Sequence, residues 1–193
     1  RLCLHERRDI LETQLRALLR AGVFGNLRVM LPMVSSIREV IEVRSIIGQL
    51  QQQLENEKLE YMSHLPLGIM IETPAAALIA DELAKEADFF SIGSNDLIQY
   101  TLAADRQNQS LEKFVDPHHK AVLRLIRYAA ECAHAEGKWI GVCGELARDL
   151  SLTEFFAACG IDELSVSPPY VLPLREKLLS VNVSKTDLDK YTK

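Results

Sequence analysis

No stretch of the chain approaches the ~18 consecutive apolar residues of a membrane span. Its opening "RLCLHERRDI" also lacks the long apolar core of a secretory leader, so a cytoplasmic protein is expected. Neither sign of charge dominates: the net charge is −5, with acids and bases interspersed rather than in blocks. That argues against a dedicated nucleic-acid or anionic-membrane surface and leaves small molecules and other proteins as partners. Gly-x-Gly-x-x-Gly and Walker A patterns are missing, which withdraws support from nucleotide binding by those routes. Cysteine is scarce. The four, Cys3, Cys132, Cys143 and Cys159, make no CxxC pair and no zinc-ribbon spacing, so free thiols are expected. There is no internal repeat and no low-complexity linker.

What the chain does have is enough apolar material for one core, 48% of 193 residues. Short continuous apolar runs alternate with amphipathic segments, the pattern of a parallel sheet flanked by helices. The runs predict strands over residues 1–4, 27–34, 67–73, 88–94, 139–145 and 163–167. Each is continuous rather than alternating, as in strands buried on both faces. Helix starts are predicted by Ser36 with Glu39, by Ser151 with Glu154, and by Thr73 before Pro74. A further helix from about Pro117 is predicted to close at Gly137. The last dozen residues are polar and read as a loose tail or fraying helix, giving a barrel domain over 1–180 and a tail over 181–193. These elements fit a doubly wound sheet or part of a barrel. Polar stretches at strand C-termini, where both architectures place their sites, favour the barrel.

Three of those strand ends carry chemistry. Glu72 ends "GIMIE" and Asp96 follows "SIGSN", so two carboxylates meet at one mouth and could hold a divalent ion that keeps water and substrate oxygens, as Mg²⁺ does. Alternatively, each carboxylate caps the helix that follows it. Arg106, ten residues beyond Asp96, offers a planar fork for phosphate or carboxylate, with Asn95 beside the same end. Gly93 and Ser94 would let backbone approach a bound oxyanion. Cys143 ends "WIGVC" between Gly141 and Gly144, with Glu145 as its expected orienting group, and could serve as nucleophile or as proton donor and acceptor. Cys3, Cys132 and Cys159 read as packed thiols. The five histidines lie outside nucleophile motifs and read as structural or solvent-facing, with His118 and His119 the nearest to the site.

The blocks "GIMIETPAAALIADELAKEADFFSIGSNDLIQYTLAADRQN", "HAEGKWIGVCGELARD" and "GIDELSVSP", in this order, closely resemble the C-terminal phosphoenolpyruvate-binding domain of the PEP-utilising enzymes. The version nearest to "QYTLAADRQN" and "AHAEGKWIGVCGELA" is that of enzyme I of the bacterial sugar phosphotransferase system; pyruvate phosphate dikinase and PEP synthase share the barrel. The resemblance implies a (β/α)8 barrel, here a portion from the end of the third strand to the eighth helix. It implies Mg²⁺ on Glu72 and Asp96, the PEP phosphate on Asn95 and Arg106, and Cys143 as general acid and base at C3 of pyruvate. As partners it implies phosphoenolpyruvate and pyruvate, a histidine-bearing domain of the same protein, an HPr-like phosphocarrier, and a second copy in a homodimer. The resemblance further implies that earlier strands carry additional phosphate-binding arginines, so a chain with these residues alone is expected not to turn over PEP. A fragment of a pyruvate phosphate dikinase or PEP synthase is the alternative within the family, and a non-catalytic PEP-sensing or dimerisation module is the alternative of a different class.

The chain departs from the family pattern at three places. Ser94 and Arg148 stand in "GSNDL" and "GELARD" where the family usually has threonine and glycine, and "SPPYVLP" replaces a "SAISIP" type of loop.

Overall fold

The computed structural model describes residues 2–193. The first apolar run is not a strand: Leu2–His5 form a helical turn, α1, followed by α2 (Arg8–Ala21). Arg1 of that run lies outside the described residues. Four residues carry too few alternating or β-branched positions to define a strand, and α1 packs instead on α2.

β1 (Val29–Leu31) is shorter than the run that predicted it, because Pro32 lacks a donor and Met33 turns to φ 55. The chain continues with α3 (Ile37–Asn56), β2 (Leu67–Ile71), α4 (Pro74–Leu78), α5 (Ala80–Glu86), β3 (Phe89–Gly93), α6 (Ser94–Leu102), α7 (Lys120–Ala135) and β4 (Trp139–Cys143). It ends with α8 (Thr153–Ala158), β5 (Glu163–Leu164), α9 (Pro168–Leu179) and α10 (Asp189–Thr192). Ser36 and Glu39 form the full capping box of α3, and Thr73 Oγ1 caps α4 by accepting from Ala76 N at 3.0 Å. Ser151 caps nothing. Its hydroxyl donates to Asp149 Oδ1 at 2.7 Å while Glu154 accepts from Thr186, so α8 starts one residue later without a side-chain cap.

Among the described residues the five strands are all parallel and stand in the order β1-β2-β3-β4-β5. A doubly wound sheet reverses its order at a switch point; strictly sequential order is the winding of a barrel. The fold is therefore α/β, an open arc of barrel with its helices on one face.

Side-chain alternation divides the sheet cleanly. Leu67, Ile69, Ile71, Phe90, Ile92, Ile140 and Val142 are buried in one cluster with Val43, Ile46 and Leu50 of α3, Leu83 of α5, and Val122 and Ile126 of α7. The other face of the strands carries Gly68, Met70 and Glu72 on β2 and just past its end, Phe89, Ser91 and Gly93 on β3, and Trp139, Gly141 and Cys143 on β4. Register stacks these into layers: Gly68 beside Phe89 beside Trp139 at the bottom, and Gly93 beside Cys143 at the top. In the lowest layer the Phe89 and Trp139 rings stack at 4.7 Å with Arg28 over the indole. Gly68 has no Cβ because one would meet the Phe89 ring at 2.3 Å.

The polar C-terminal segment, expected to be loose, is held. Arg124 Nε of α7 donates to Thr192 O at 2.6 Å, and Tyr191 packs on Phe155 with ring centroids 5.2 Å apart.

Candidate active site

The C-terminal ends of β2, β3 and β4 bring Glu72, Asp96 and Cys143 into one electrostatic neighbourhood. Glu72 extends β2 by one residue and is 3% exposed. Its Oε1 accepts from the backbone N–H of Met33 at 2.7 Å. Burial pushes its carboxyl above the ordinary carboxylate range, the Met33 hydrogen bond opposes this, and the nearby Asp96 carboxylate raises it further. Glu72 does not cap α4, since Thr73 does. Asp96 lies in the first turn of α6, whose N-cap is Gly93, so it too is not a capping side chain. It favours the positive end of that helix and forms an ion pair with Arg106, Oδ1 lying 3.2 Å from Nη1.

Gly93 sits between the two strands that carry Glu72 and Cys143. A Cβ there would meet Glu72 Oε2 at 2.8 Å and Met70 Sδ at 2.9 Å, so its role in the structure is to leave room for the carboxylate. The Ser94 hydroxyl is fully buried, donating to Cys143 O at 2.7 Å and accepting from Leu146 N at 3.4 Å. It joins two strand ends rather than facing the mouth. Asn95 Oδ1 accepts from Glu145 N at 2.9 Å, which leaves its amide NH₂ as the free donor. Gly144, at φ 90, allows this approach: a Cβ would meet Ser94 Oγ at 2.6 Å and Asn95 Oδ1 at 3.0 Å.

Cys143 Sγ donates to Ile92 O at 3.4 Å, and Ser91 Oγ donates to the sulfur at 3.8 Å. Burial, and then the negative charge of Glu72 and Asp96, push this thiol above its ordinary pKa despite the Ser91 bond. A raised thiol stays protonated at neutral pH, which suits a proton donor and not a nucleophile, whose attacking form is the thiolate. Cys132 is buried, and burial pushes Cys159 up to about 12. Cys3, expected in the core, is exposed. Glu145 is exposed and its carboxylate pairs with Arg148 instead of orienting the thiol.

His118 does not enter the mouth but flanks it, with Nε2 2.5 Å from Asp149 Oδ2 in the loop after β4. His119 caps α7 through Nδ1, and His134 pairs with Asp162. Sequence reasoning missed Met33, which offers a backbone N–H to Glu72 from a left-handed conformation. The interruption of an apolar run by Pro32 was the available signal.

Among the described residues no group of three His, Cys, Asp or Glu side chains could hold a metal by itself. Glu72 and Asp96 supply two carboxylates, one of them buried with a backbone N–H as its hydrogen-bond donor. That donor set fits a hard cation that retains water and substrate oxygens.

A parallel barrel arc with a buried carboxylate, a second carboxylate paired to arginine and a thiol gathered at the C-terminal ends of its strands has the site placement of an α/β-barrel enzyme domain. Residues 1–183 match the family described as PEP-utilising enzyme, PEP-binding domain, and the chain belongs to that family. Similar proteins include the phosphoenolpyruvate-protein phosphotransferases of Geobacillus stearothermophilus, 47% identical over 92% of this chain and 31% of that protein, and of Bacillus subtilis (strain 168), 43% identical over 97% and 33%. That of Staphylococcus carnosus is 45% identical over 96% and 32%. The chain thus spans about a third of the length of the curated relatives it matches. A solved citrate lyase from Burkholderia xenovorans LB400 shares the fold, with a TM-score of 0.61 at 19% identity over 86% of this chain and 53% of that one. Among the described residues no helix is long and apolar enough to cross a membrane.

Proposed function

We propose that this chain is the PEP-binding catalytic part of a phosphoenolpyruvate-protein phosphotransferase. In this role it receives PEP and releases pyruvate, while a histidine elsewhere in the protein takes the phosphoryl group and passes it to an HPr-like carrier. The reading is carried by the convergence of Glu72, Asp96 and a protonated Cys143 at one mouth in a chain of this family.

Glu72 and Asp96 would hold Mg²⁺, which when bound neutralises charge on the phosphate and on the enolate oxygen. The Asn95 NH₂ group, free of other partners, and the Arg106 guanidinium would donate to phosphate oxygens, Arg106 turning from Asp96 as it does so. When the P–O bond of PEP breaks and the phosphorus bonds to the accepting imidazole nitrogen, the electron pair stays on the enolate. Cys143 then gives its proton to C3, forming the methyl group of pyruvate, and the thiolate left behind recovers a proton from water. In reverse the thiolate removes that methyl proton.

The test is isothermal titration of PEP into the full protein with and without Mg²⁺. Mg²⁺-dependent binding that Glu72→Gln and Asp96→Asn each abolish is expected; equal affinity without the metal, or undisturbed binding in both variants, overturns the reading. On the same reading this chain by itself gives no phosphoryl transfer from PEP to the carrier.

A further inference from the structure

The loop after β4 bends back on the site through two backbone hydrogen bonds, Glu145 N to Asn95 Oδ1 and Leu146 N to Ser94 Oγ. Its flanks are tied in different ways. On one side Asp149 Oδ2 lies 2.5 Å from His118 Nε2 at the approach to α7. On the other side is Arg148, whose Nη2 pairs with the Glu145 carboxylate within the same turn. Its Nη1 donates to the Tyr170 hydroxyl at 2.8 Å, and its Cζ stands 4.9 Å over the Tyr170 ring. Tyr170 follows Pro168 and Pro169 in the first turn of α9, so its backbone is pre-set and offers a stiff anchor. The contact joins two of the places where the chain departs from the family pattern, Arg148 and the "SPPYVLP" segment.

An exposed ion pair alone contributes little. One guanidinium held by a carboxylate, a phenol oxygen and an aromatic face is different, because arginine's planar fork meets all three without further ordering. Its side chain bridges loop segments that the five strands themselves do not join.

We infer that Arg148 is a positioning residue: with Tyr170 it latches the loop after β4 to α9 and so keeps Asn95 and Cys143 in their working arrangement. The inference rests on the proposed role of those two residues. Without the latch, Glu145 N leaves Asn95 more often, the amide loses its fixed orientation, and the end of β4 opens around the Cys143 sulfur.

The other cysteines make this measurable on the chain without substrate. Iodoacetamide labelling followed by peptide mass spectrometry reads Cys143 against exposed Cys3 and against Cys132 and Cys159, which are buried and half-buried. Arg148→Ala and Tyr170→Ala should each raise the Cys143 rate about two- to fivefold, the scale of one lost cation–π contact. The double variant should go no further than the larger single effect, and Arg148→Lys, which keeps the charge, should recover part of it. A Cys143 rate that stays unchanged, or effects that multiply in the double variant, overturn the inference. So does a parallel rise at Cys132 and Cys159, which would mean general loosening of the fold. The labelling needs neither PEP nor metal, so the latch and the proposed function can fail separately.

Discussion

Gly93 of β3 faces Glu72 across the gap between adjacent strands, and the absent methyl group is what lets the carboxylate lie there. At φ −82 any residue could adopt the backbone, so the constraint is steric. An added Cβ would stand 2.8 Å from Glu72 Oε2 and 2.9 Å from Glu72 Cβ, and the second of these cannot swing away. Gly93→Ala should cost about 1–3 kcal/mol, the usual scale of overpacking. In a domain of this size each kcal/mol lowers Tm by about 2–4 °C. The same variant should lose stabilisation by Mg²⁺, because Glu72 is displaced. A thermal melt of the alanine variant that matches the parent, with and without the metal, would remove the steric argument.

Glu72 sets up a pH dependence whose sign follows from its raised pKa. A carboxyl that holds its proton more tightly when folded favours the folded state below its unfolded pKa, and that contribution is lost as pH rises through the folded value. At neutral pH without a cation, Glu72 therefore destabilises the fold. Glu72→Gln keeps an oxygen to accept from Met33 N, carries no charge to desolvate, and should raise Tm above the parent's at neutral pH without metal. Added Mg²⁺ should reverse the order, since a ligand of the native state stabilises the parent alone. Differential scanning calorimetry at pH 5 and pH 8 reads both effects. A glutamine variant less stable than the parent at pH 8 without metal would contradict a carboxyl raised by burial.

Much of this was legible because strand ends are marked by composition. Continuous apolar runs that stop at Glu72, Ser94 and Cys143 located three strands and the face they share. The sequence also placed Thr73 before Pro74 and Ser36 before Glu39, whose caps are local chemistry. What escaped was non-local. Nothing in "RLCL" distinguishes a strand from a helical turn packed on its neighbour, and Ser151 with Glu154 matched a capping box while Asp149 and Thr186 took their hydrogen bonds. The Met33 N–H and the Arg148 contact with Tyr170 depend on residues far apart in the chain, which no periodicity can pair.

Ser94 carries a second structural prediction. Its hydroxyl is the buried partner of both Cys143 O and Leu146 N, so Ser94→Ala strands a carbonyl and an N–H at once. Leaving a buried polar group unpaired costs about 1–3 kcal/mol. Ser94→Thr retains the hydroxyl that the family usually has at this position and should recover most of the loss. Urea unfolding should show a lower midpoint for the alanine variant and near-parent behaviour for threonine. Equal midpoints for serine and alanine would mean that water replaces the hydroxyl.

Cys143→Ser separates binding from proton transfer. The serine hydroxyl is close in size and can still donate to Ile92 O, so the mouth keeps its shape and Mg²⁺-dependent PEP affinity should stay within about twofold. An alcohol is a far weaker acid than a thiol, even one whose pKa is raised. Protonation at C3 should therefore fall by about 10²–10⁴, the range a positioned acid supplies. Exchange of pyruvate methyl protons with deuterium in solvent, followed by NMR on the full protein, isolates that step. A nucleophilic cysteine would instead leave a covalent adduct of parent and PEP, visible by mass and absent from the serine variant. Undiminished exchange in Cys143→Ser would assign the proton to another group, and a trapped adduct would return the thiol to the role that its raised pKa disfavours.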